Sequence, residues 1–564
     1  MLTYLKNKKW LLVIPMLIVV LSVGLVSFRD SNDFKLIKNI EIFSNLFREL
    51  NYFYVDDLDP EEMIQTGIDA MLKTLDPYTV FIPESELEDL RFMTTGHYGG
   101  IGSLIRNDGD FTVITEIYKG FPADLAGLKA GDVIEKIDGV SIAGKTSTDV
   151  SEKLKGLPNS QVEITIRRYG HEDPIVKTIN RKEISIPNVP YYGILDNQVG
   201  YVRLSNFTTD AGDEVKRAVM ELKENHQMTG LILDLRGNSG GLLTEAVRVT
   251  NVFVEKGHEI VSTRGKVEKN NHTYITSNQP VDTLIPLAVL VDRGSASASE
   301  IVAGAIQDLD RGVIVGERTY GKGLVQITRS LGYNNQLKLT TAKYYIPSGR
   351  CIQALDYSSR NDDGSVGHVP DSLITEYKTH HGRPVFDGGG IAPDITVDPE
   401  EAKPLTVQLY TQNMIFDFAT RYVSAHPGIP AIDDFSISSE DFTDFIAFTL
   451  ASGFTYESRS EQILNTLIRE SKNEGLFSEN KEAFEILQEN LQYDLEAMLI
   501  THREEISKFL DTEIIGRFHY QGGKIQSTLR WDEDVKKANE VLHDAENYGS
   551  ILNPRYKKKV IAGG

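Results

Sequence analysis

Three serines and a lysine are the residues from which chemistry is first expected. Ser295, Ser297 and Ser299 stand in Val289-Leu-Val-Asp-Arg-Gly-Ser-Ala-Ser-Ala-Ser-Glu300, and Lys322 stands in Gly316-Glu-Arg-Thr-Tyr-Gly-Lys-Gly-Leu-Val-Gln326. A serine hydroxyl is a poor nucleophile until a base takes its proton. A lysine can be that base only when neutral, and apolar surroundings push it that way because burial disfavours charge. Lys322 sits between Gly321 and Gly323, flanked by the apolar runs Val313–Val315 and Leu324–Ile327. The elements that must hold these groups follow from the pattern. The run Leu287–Val291 predicts a strand that stops at Gly294, and Ile301, Val302, Ala305, Ile306 and Leu309 then fall on one face of a helix. Strand, small-residue turn and helix together hold a serine hydroxyl at a helix N-terminus, beside backbone N–H groups that lack intrahelical partners. Residue type alone does not choose among the three serines, since serine is also a common N-cap.

The two segments Gly294-Ser-Ala-Ser-Ala-Ser-Glu-Ile301 and Gly321-Lys-Gly-Leu-Val-Gln326 resemble the carboxyl-terminal processing (tail-specific) protease family, and the resemblance runs over roughly residues 35–400. It implies that Ser297 is the nucleophile, that Lys322 is the base and that Gln326 holds the lysine. Gly230-Leu-Ile-Leu-Asp-Leu-Arg236 reads as a buried strand entering Gly237-Asn-Ser-Gly-Gly241, a turn suited to an anion. The resemblance implies that the N–H of Gly240 or Gly241 joins that of Ala298 in holding a developing oxyanion. Asp234 and Arg236 are read as braces of the turn. Gly388-Gly-Gly-Ile-Ala-Pro-Asp394 matches the family's closing motif and is expected to end the core.

A second constellation lies upstream. His97-Tyr-Gly-Gly-Ile-Gly102, Phe121-Pro-Ala-Asp-Leu-Ala-Gly-Leu128 and Gly131-Asp-Val-Ile-Glu-Lys-Ile-Asp-Gly139 together resemble a PDZ domain. That implies a cradle of backbone N–H groups at Tyr98, Gly99, Gly100, Ile101 and Gly102 for a peptide α-carboxylate. The peptide would then add as a strand along residues 102–105.

Composition sets the outer limits. A chain of 564 residues should hold three or four domains. Its net charge of −22 argues against a general nucleic-acid binder. The single cysteine, Cys351, leaves no intrachain disulfide, and the twelve histidines show no His-Glu-x-x-His spacing, so neither metal nor other cofactor is expected. Lys6, Lys8 and Lys9 precede the uncharged stretch Trp10–Phe28, which is long enough to span a bilayer with the N-terminus in the cytoplasm. The expectation is a single-pass inner-membrane protein with its catalytic part in the periplasm, or a protein exported after signal cleavage. Helical patterns are predicted over residues 33–92, and beyond 400 at Gln408–Tyr422, Glu461–Arg469, Phe484–Met498 and Val535–Glu546.

The fold class expected is multidomain α+β: a crotonase-like α/β protease core, as the resemblance implies, with an inserted PDZ domain, an N-terminal helical segment and a C-terminal helical domain. The domain plan is 1–29 anchor, 30–92 helical, 93–182 PDZ, 183–400 protease core and 401–564 helical. The function implied is a membrane-tethered serine endopeptidase using a Ser-Lys dyad. Its expected partners are protein or peptide substrates with free C-terminal tails, the membrane through the anchor, and a homo-oligomer or adaptor protein. The alternative is a catalytically inactive tail- or ligand-binding protein on the same fold, and a PDZ scaffold with a structural core is a third reading. The intact set of Ser297, Lys322 and Gln326 favours the enzyme.

Overall fold

A computed structural model describes residues 33–361, 364–491 and 493–555 of the chain. These residues form two compact units that divide between Phe81 and Ile82. In the first, a helix over 33–53 is followed by the helix Pro60–Leu72, with Phe43 against Gly67. Asp59 caps the second helix by accepting from the Glu61 and Glu62 amides, which are orphan donors of its first turn. Asp76 then accepts from the Tyr78 and Thr79 amides, closing the turn that Pro77 enforces.

The second unit is built around a six-stranded sheet in the order Tyr191–Ile194, Val199–Arg203, Gly230–Asp234, Leu287–Val291, Val313–Gly316 and Ile395–Thr396. The first pair is antiparallel and the others are parallel. Parallel strands buried on both faces read as near-continuous apolar runs, as these do. Alternate residues point to opposite faces. Val202, Leu231, Leu233, Val289 and Val291 pack under the helices Ala211–Asn225, Leu243–Asn251 and Ala298–Asp308. Tyr201, Ile232, Ala288, Leu290 and Val315 face the other way, onto Val535, Ala538, Val541 and Leu542 of the helix Glu533–His543.

A separate antiparallel sheet carries the PDZ resemblance, with strands Ser103–Asp108, Phe111–Ile117, Val133–Ile137, Gln161–Arg167 and Ile175–Asn180 in that order. It closes on the helix Ser147–Leu154 over its own core of Ile114, Ile134, Ile164 and Val150. Arg181 ends that helix by donating from Nε to Leu154 O (3.0 Å) and from Nη2 to Lys153 O (2.7 Å), satisfying carbonyls that no helical amide reaches. A third sheet contains the hairpin Leu324–Gly332 and Asn335–Tyr345, which forms a wall of the cleft described below.

The C-terminal region departs from the predicted helices in several places, including Phe484–Met498, which is two helices, Lys481–Leu491 and Leu495–Thr501. Gln408–Tyr422 is two helices, Pro404–Thr411 and Met414–Ala425, broken where Asn413 takes φ 66°. Ser439–Ala451 and the 27-residue Arg503–Leu529 were not predicted. Tyr520 (φ 59°) kinks the latter just before Gly522-Gly523, so its apolar spacing is out of phase across the break. Phe418, Phe445, Leu499, Leu510 and Ile514 form the bundle's core.

The expected anchor at Trp10–Phe28 lies outside the described residues. Among those described, no helix is long and apolar enough to cross a membrane. The inner-membrane, periplasm-facing localisation is therefore corrected: no described element supplies the span it requires.

Candidate active site

The three serines have different surroundings. Ser295 is buried, and its Oγ donates to Leu235 O (2.9 Å) and lies 3.1 Å from Asp292 Oδ1. Ser299 is also buried and donates to Asn238 O (2.8 Å). Both hydroxyls hold the two turns together. Ser297 between them is half-buried, stands at the N-cap of the helix Ala298–Asp308 and lines an open cleft of about 690 Å³. Its φ of 56° and ψ of −111° are rare for a residue with a side chain, a strain that persists only where the surroundings enforce it.

Glu300 provides that enforcement. Its fully buried carboxyl accepts from five donors: Ser297 N (2.9 Å), Thr319 Oγ1 (2.7 Å), Gly321 N (2.6 Å), Lys322 N (3.0 Å) and Tyr344 OH (3.3 Å). One side chain thus ties the backbone of the serine turn to the backbone of the lysine loop. Burial pushes this carboxyl up, while the Thr319 hydroxyl and the backbone donors favour the carboxylate. The loop is pinned from its far side too: Ala354 N donates to Gly321 O, and Tyr344 N donates to Gly323 O.

Lys322 and Gln326 line the same cleft as Ser297, and both are half-buried. Gln326 Nε2 donates to Thr340 Oγ1 at 3.1 Å, so the amide is oriented and Oε1 remains its acceptor.

Gly240 and Gly241 close the cleft beside the serine. A Cβ on Gly240 would lie 2.7 Å from Ser297 Cβ and 2.8 Å from Ala298 N, so only glycine admits this approach. Gly240 N already donates to Asn238 Oδ1 (2.9 Å). The bridge from Phe207 to Gly241 runs through Gly240 O and Leu242 N, which leaves the Gly241 amide outside it. Ala298 N, at the first position of its helix, is among the donors that helical geometry leaves unpaired. Asn238, buried, locks the two turns together: its carbonyl accepts from Ala296 N and Ser299 Oγ, and its Nδ2 donates to Leu204 O.

Behind the turn, Asp234 meets Arg236 Nη2 (2.6 Å), Arg203 Nη1 (2.7 Å) and Tyr201 OH (2.7 Å). Burial alone would raise this carboxyl, but the two guanidinium groups outweigh it and hold it well below the usual carboxylate range. Arg236 also reaches Asp532 and Asp534, at the N-terminus of the helix Glu533–His543.

The predicted tail cradle is arranged differently. His97–Gly100 is a strand paired with Lys182–Ser185. Ile101 is buried, and Gly102 at φ 79° turns the chain into Ser103–Asp108. The Tyr98 ring meets Phe92 edge-on at 5.3 Å, and burial pushes its phenol up to about 12. Phe92, Gly96 and Tyr118 line the serine cleft, so this stretch adjoins it.

Glu300, Asn238 and Thr319 were not singled out in the sequence. Glu300 left a signal, because Ser297-x-x-Glu300 has the spacing of a capping box.

Comparison with known proteins bears on the same regions. Residues 198–358 match peptidase family S41, residues 113–168 match the PDZ domain, and residues 405–542 match the probable PDZ-protease C-terminal helical domain. A carboxy-terminal-processing protease of Bartonella bacilliformis is 36% identical over 62% of this chain and 78% of its own length. A probable CtpA-like serine protease of Staphylococcus aureus is 32% identical over 65% of this chain and 67% of its own. The solved structure of a photosystem II D1 C-terminal processing protease is 29% identical, covering 64% of this chain and 92% of that one, with a TM-score of 0.34. The identity to the Bartonella protease and the extent of its coverage establish that this chain belongs to the carboxyl-terminal processing proteases of peptidase family S41, with a PDZ domain and a C-terminal helical domain.

Proposed function

We propose that the chain is a serine endopeptidase that captures free C-terminal tails and cleaves by a Ser-Lys dyad. Ser297 Oγ attacks the scissile carbonyl as Lys322 takes its proton. The tetrahedral oxyanion is held by the amides of Ala298 and Gly241. Of the two glycines implied, Gly241 is favoured because the Gly240 amide is occupied by Asn238. Collapse breaks the C–N bond, Lys322 returns the proton to the leaving amine, and a water activated by Lys322 hydrolyses the acyl-enzyme. Gln326 is assigned the orientation of Lys322. One oxyanion donor of this kind is worth about 2.7–4 kcal/mol of barrier.

The observation that carries this reading is the contrast among the serines. Ser295 and Ser299 spend their hydroxyls on structure, whereas Ser297 lines a cleft with Lys322 and is tied to the lysine loop through Glu300. For the tail, the PDZ-domain match over residues 113–168 supports peptide capture, and the reading assigns the carboxylate to Tyr98, Gly99, Gly100, Ile101 and Gly102, with strand addition along residues 102–105. The domain plan 30–92, 93–182, 183–400 and 401–564 stays a proposal, although the compact units divide between Phe81 and Ile82 and the helix Glu533–His543 packs on the core sheet.

The test is fragment mapping. The protein is incubated with an unfolded protein bearing a free tail, beside its Ser297→Ala and Lys322→Ala variants. Discrete fragments from the wild type alone support the reading; identical fragments from Ser297→Ala would overturn it.

A further inference from the structure

The charge pattern of the serine cleft points to a substrate preference. In a chain of net charge −22, the described residues lining the cleft include two lysines, Lys322 and Lys338, and among them no aspartate or glutamate. Glu300 lies beneath the wall, fully buried and surrounded by donors. Lys322 must be neutral in its role as base, so the standing charge of the cleft is that of Lys338.

Its position follows from the hairpin register. Gln326 pairs with Thr340, and Thr328 pairs with Lys338. Alternate residues of a strand share a face, and Gln326, Thr328 and Lys338 all line the cleft. Lys338 is therefore two residues along the strand from Thr340, which orients Gln326, a spacing of roughly 6.6 Å. An extended substrate has the same rise per residue, so a chain lying along this strand meets Lys338 with a side chain about two residues beyond the one facing Gln326.

We propose that Lys338 is a specificity-determining residue of the cleft, favouring substrates with an aspartate or glutamate at the position that faces it. A lysine or arginine there is disfavoured, because among the described residues no carboxylate lines the cleft to receive it. The inference rests on the cleavage reading above and deepens it by naming the class of sequence cleaved.

The experiment uses peptides with one free tail and one fixed cleavage site, carrying Glu, Gln or Lys in turn at each position flanking the bond. The readout is the ratio of kcat/KM for Glu over Gln within each enzyme. For the wild type a ratio of about five to ten is expected at one position, in line with a partly exposed ion pair, and it should shrink as salt is added. Lys338→Ala should bring the ratio to about one, Lys338→Arg should keep it, and Lys338→Glu should reverse it in favour of the Lys peptide. A wild-type ratio of one at every position, or a preference that survives Lys338→Ala, overturns the proposal. Absence of any Ser297-dependent cleavage of the Gln peptides would instead overturn the cleavage reading itself, so the two failures are distinct.

Discussion

Residues 237–241 and 98–102 are both glycine-rich, and the sequence assigns both to anion binding, yet the chain folds them differently. In the first, Gly240 and Gly241 have φ of 101° and 150° and bring backbone against the serine turn, with the Gly241 amide outside the bridge to Phe207. In the second, Tyr98, Gly99 and Gly100 lie in a ladder with Lys182–Ile184, and a Cβ on Gly99 would sit 2.1 Å from Gly156 O. Glycine there admits a close backbone approach. Only Gly102, at φ 79°, has the left-handed conformation of a nest. If the tail is captured at 98–102 as proposed, the nest conformation is supplied at its Gly102 end, next to the strand that follows.

The sharpest way to separate the two regions is to remove chemistry from one of them. Ser297→Ala should lower kcat by on the order of 10⁶-fold while leaving tail affinity unchanged. Ser295→Ala and Ser299→Ala should keep turnover with lower thermal midpoints, because each breaks a buried hydrogen bond. If Ser295→Ala is dead and Ser297→Ala active, the assignment of the nucleophile fails. Lys322→Arg should match Lys322→Ala, since a guanidinium stays protonated. Wild-type activity should rise with pH as Lys322 loses its proton.

One step smaller is Gly240→Ala. The added methyl meets Ser297 Cβ at 2.7 Å and must move either the proposed nucleophile or the proposed oxyanion site. A fall of about 10²–10³-fold in kcat, the size of losing one oxyanion donor, is expected with tail binding intact. Unchanged kcat would show that the close approach serves packing alone.

How much of this was legible in the sequence depended on whether local pattern carried the information. The strand Leu287–Val291, the turn and the helix opening at Ala298 followed from an apolar run, small residues and helical spacing, and the observed strand has the predicted bounds. The proposal of Ser297 over its neighbours rests on the family pattern and on tertiary contacts, which alone reveal that Leu235 O and Asn238 O consume the neighbouring hydroxyls. The role of Glu300 was hidden for the same reason: its partners at 319–322 and 344 are brought to it by the sheet and the hairpin. Arg503–Leu529 escaped because the break at Tyr520 shifts the phase of its apolar face. Docking of Glu533–His543 on the core was unreadable, since an apolar helix face does not name the surface that covers it.

On the tail side the expected effect is smaller. Amidating a substrate's C-terminus removes a charge and sets a donor against donors, so affinity should drop roughly ten- to a hundredfold. Gly100→Val forces a side chain onto the Tyr98 ring, 2.6 Å from the Cβ position, and should reproduce the loss without altering kcat on a tail-independent peptide. Equal binding of free and amidated peptides would remove the tail sensor from the 98–102 region.

The smallest effect is expected at Asp534, and it distinguishes how the two regions are propped. Arg181 props the PDZ end through the carbonyls of Lys153, Leu154 and Gln161, which do not titrate. Arg236 props the 237–241 turn through three carboxylates: Asp234, Asp532 and Asp534. Asp234 is held below its unfolded value of about 3.9, so its contribution is complete above that pH and is lost as pH falls through the lower folded value. Asp534 has the opposite sign. Burial raises it despite Arg236, so its ionised form opposes folding at neutral pH and that penalty disappears as pH falls through its raised folded value. Asp534→Asn should therefore be nearly neutral or slightly stabilising at pH 7, within about 1 kcal/mol for a partly exposed pair, and should converge on the wild type in mild acid. Asp234→Asn should cost about 3–5 kcal/mol at pH 7, because it leaves two guanidinium groups short of their buried partner. Thermal midpoints of the three proteins between pH 7 and pH 4 decide the matter. A large loss for Asp534→Asn at pH 7 would mean that the brace runs through the C-terminal helix, and that Asp234 is the lesser of the two anchors.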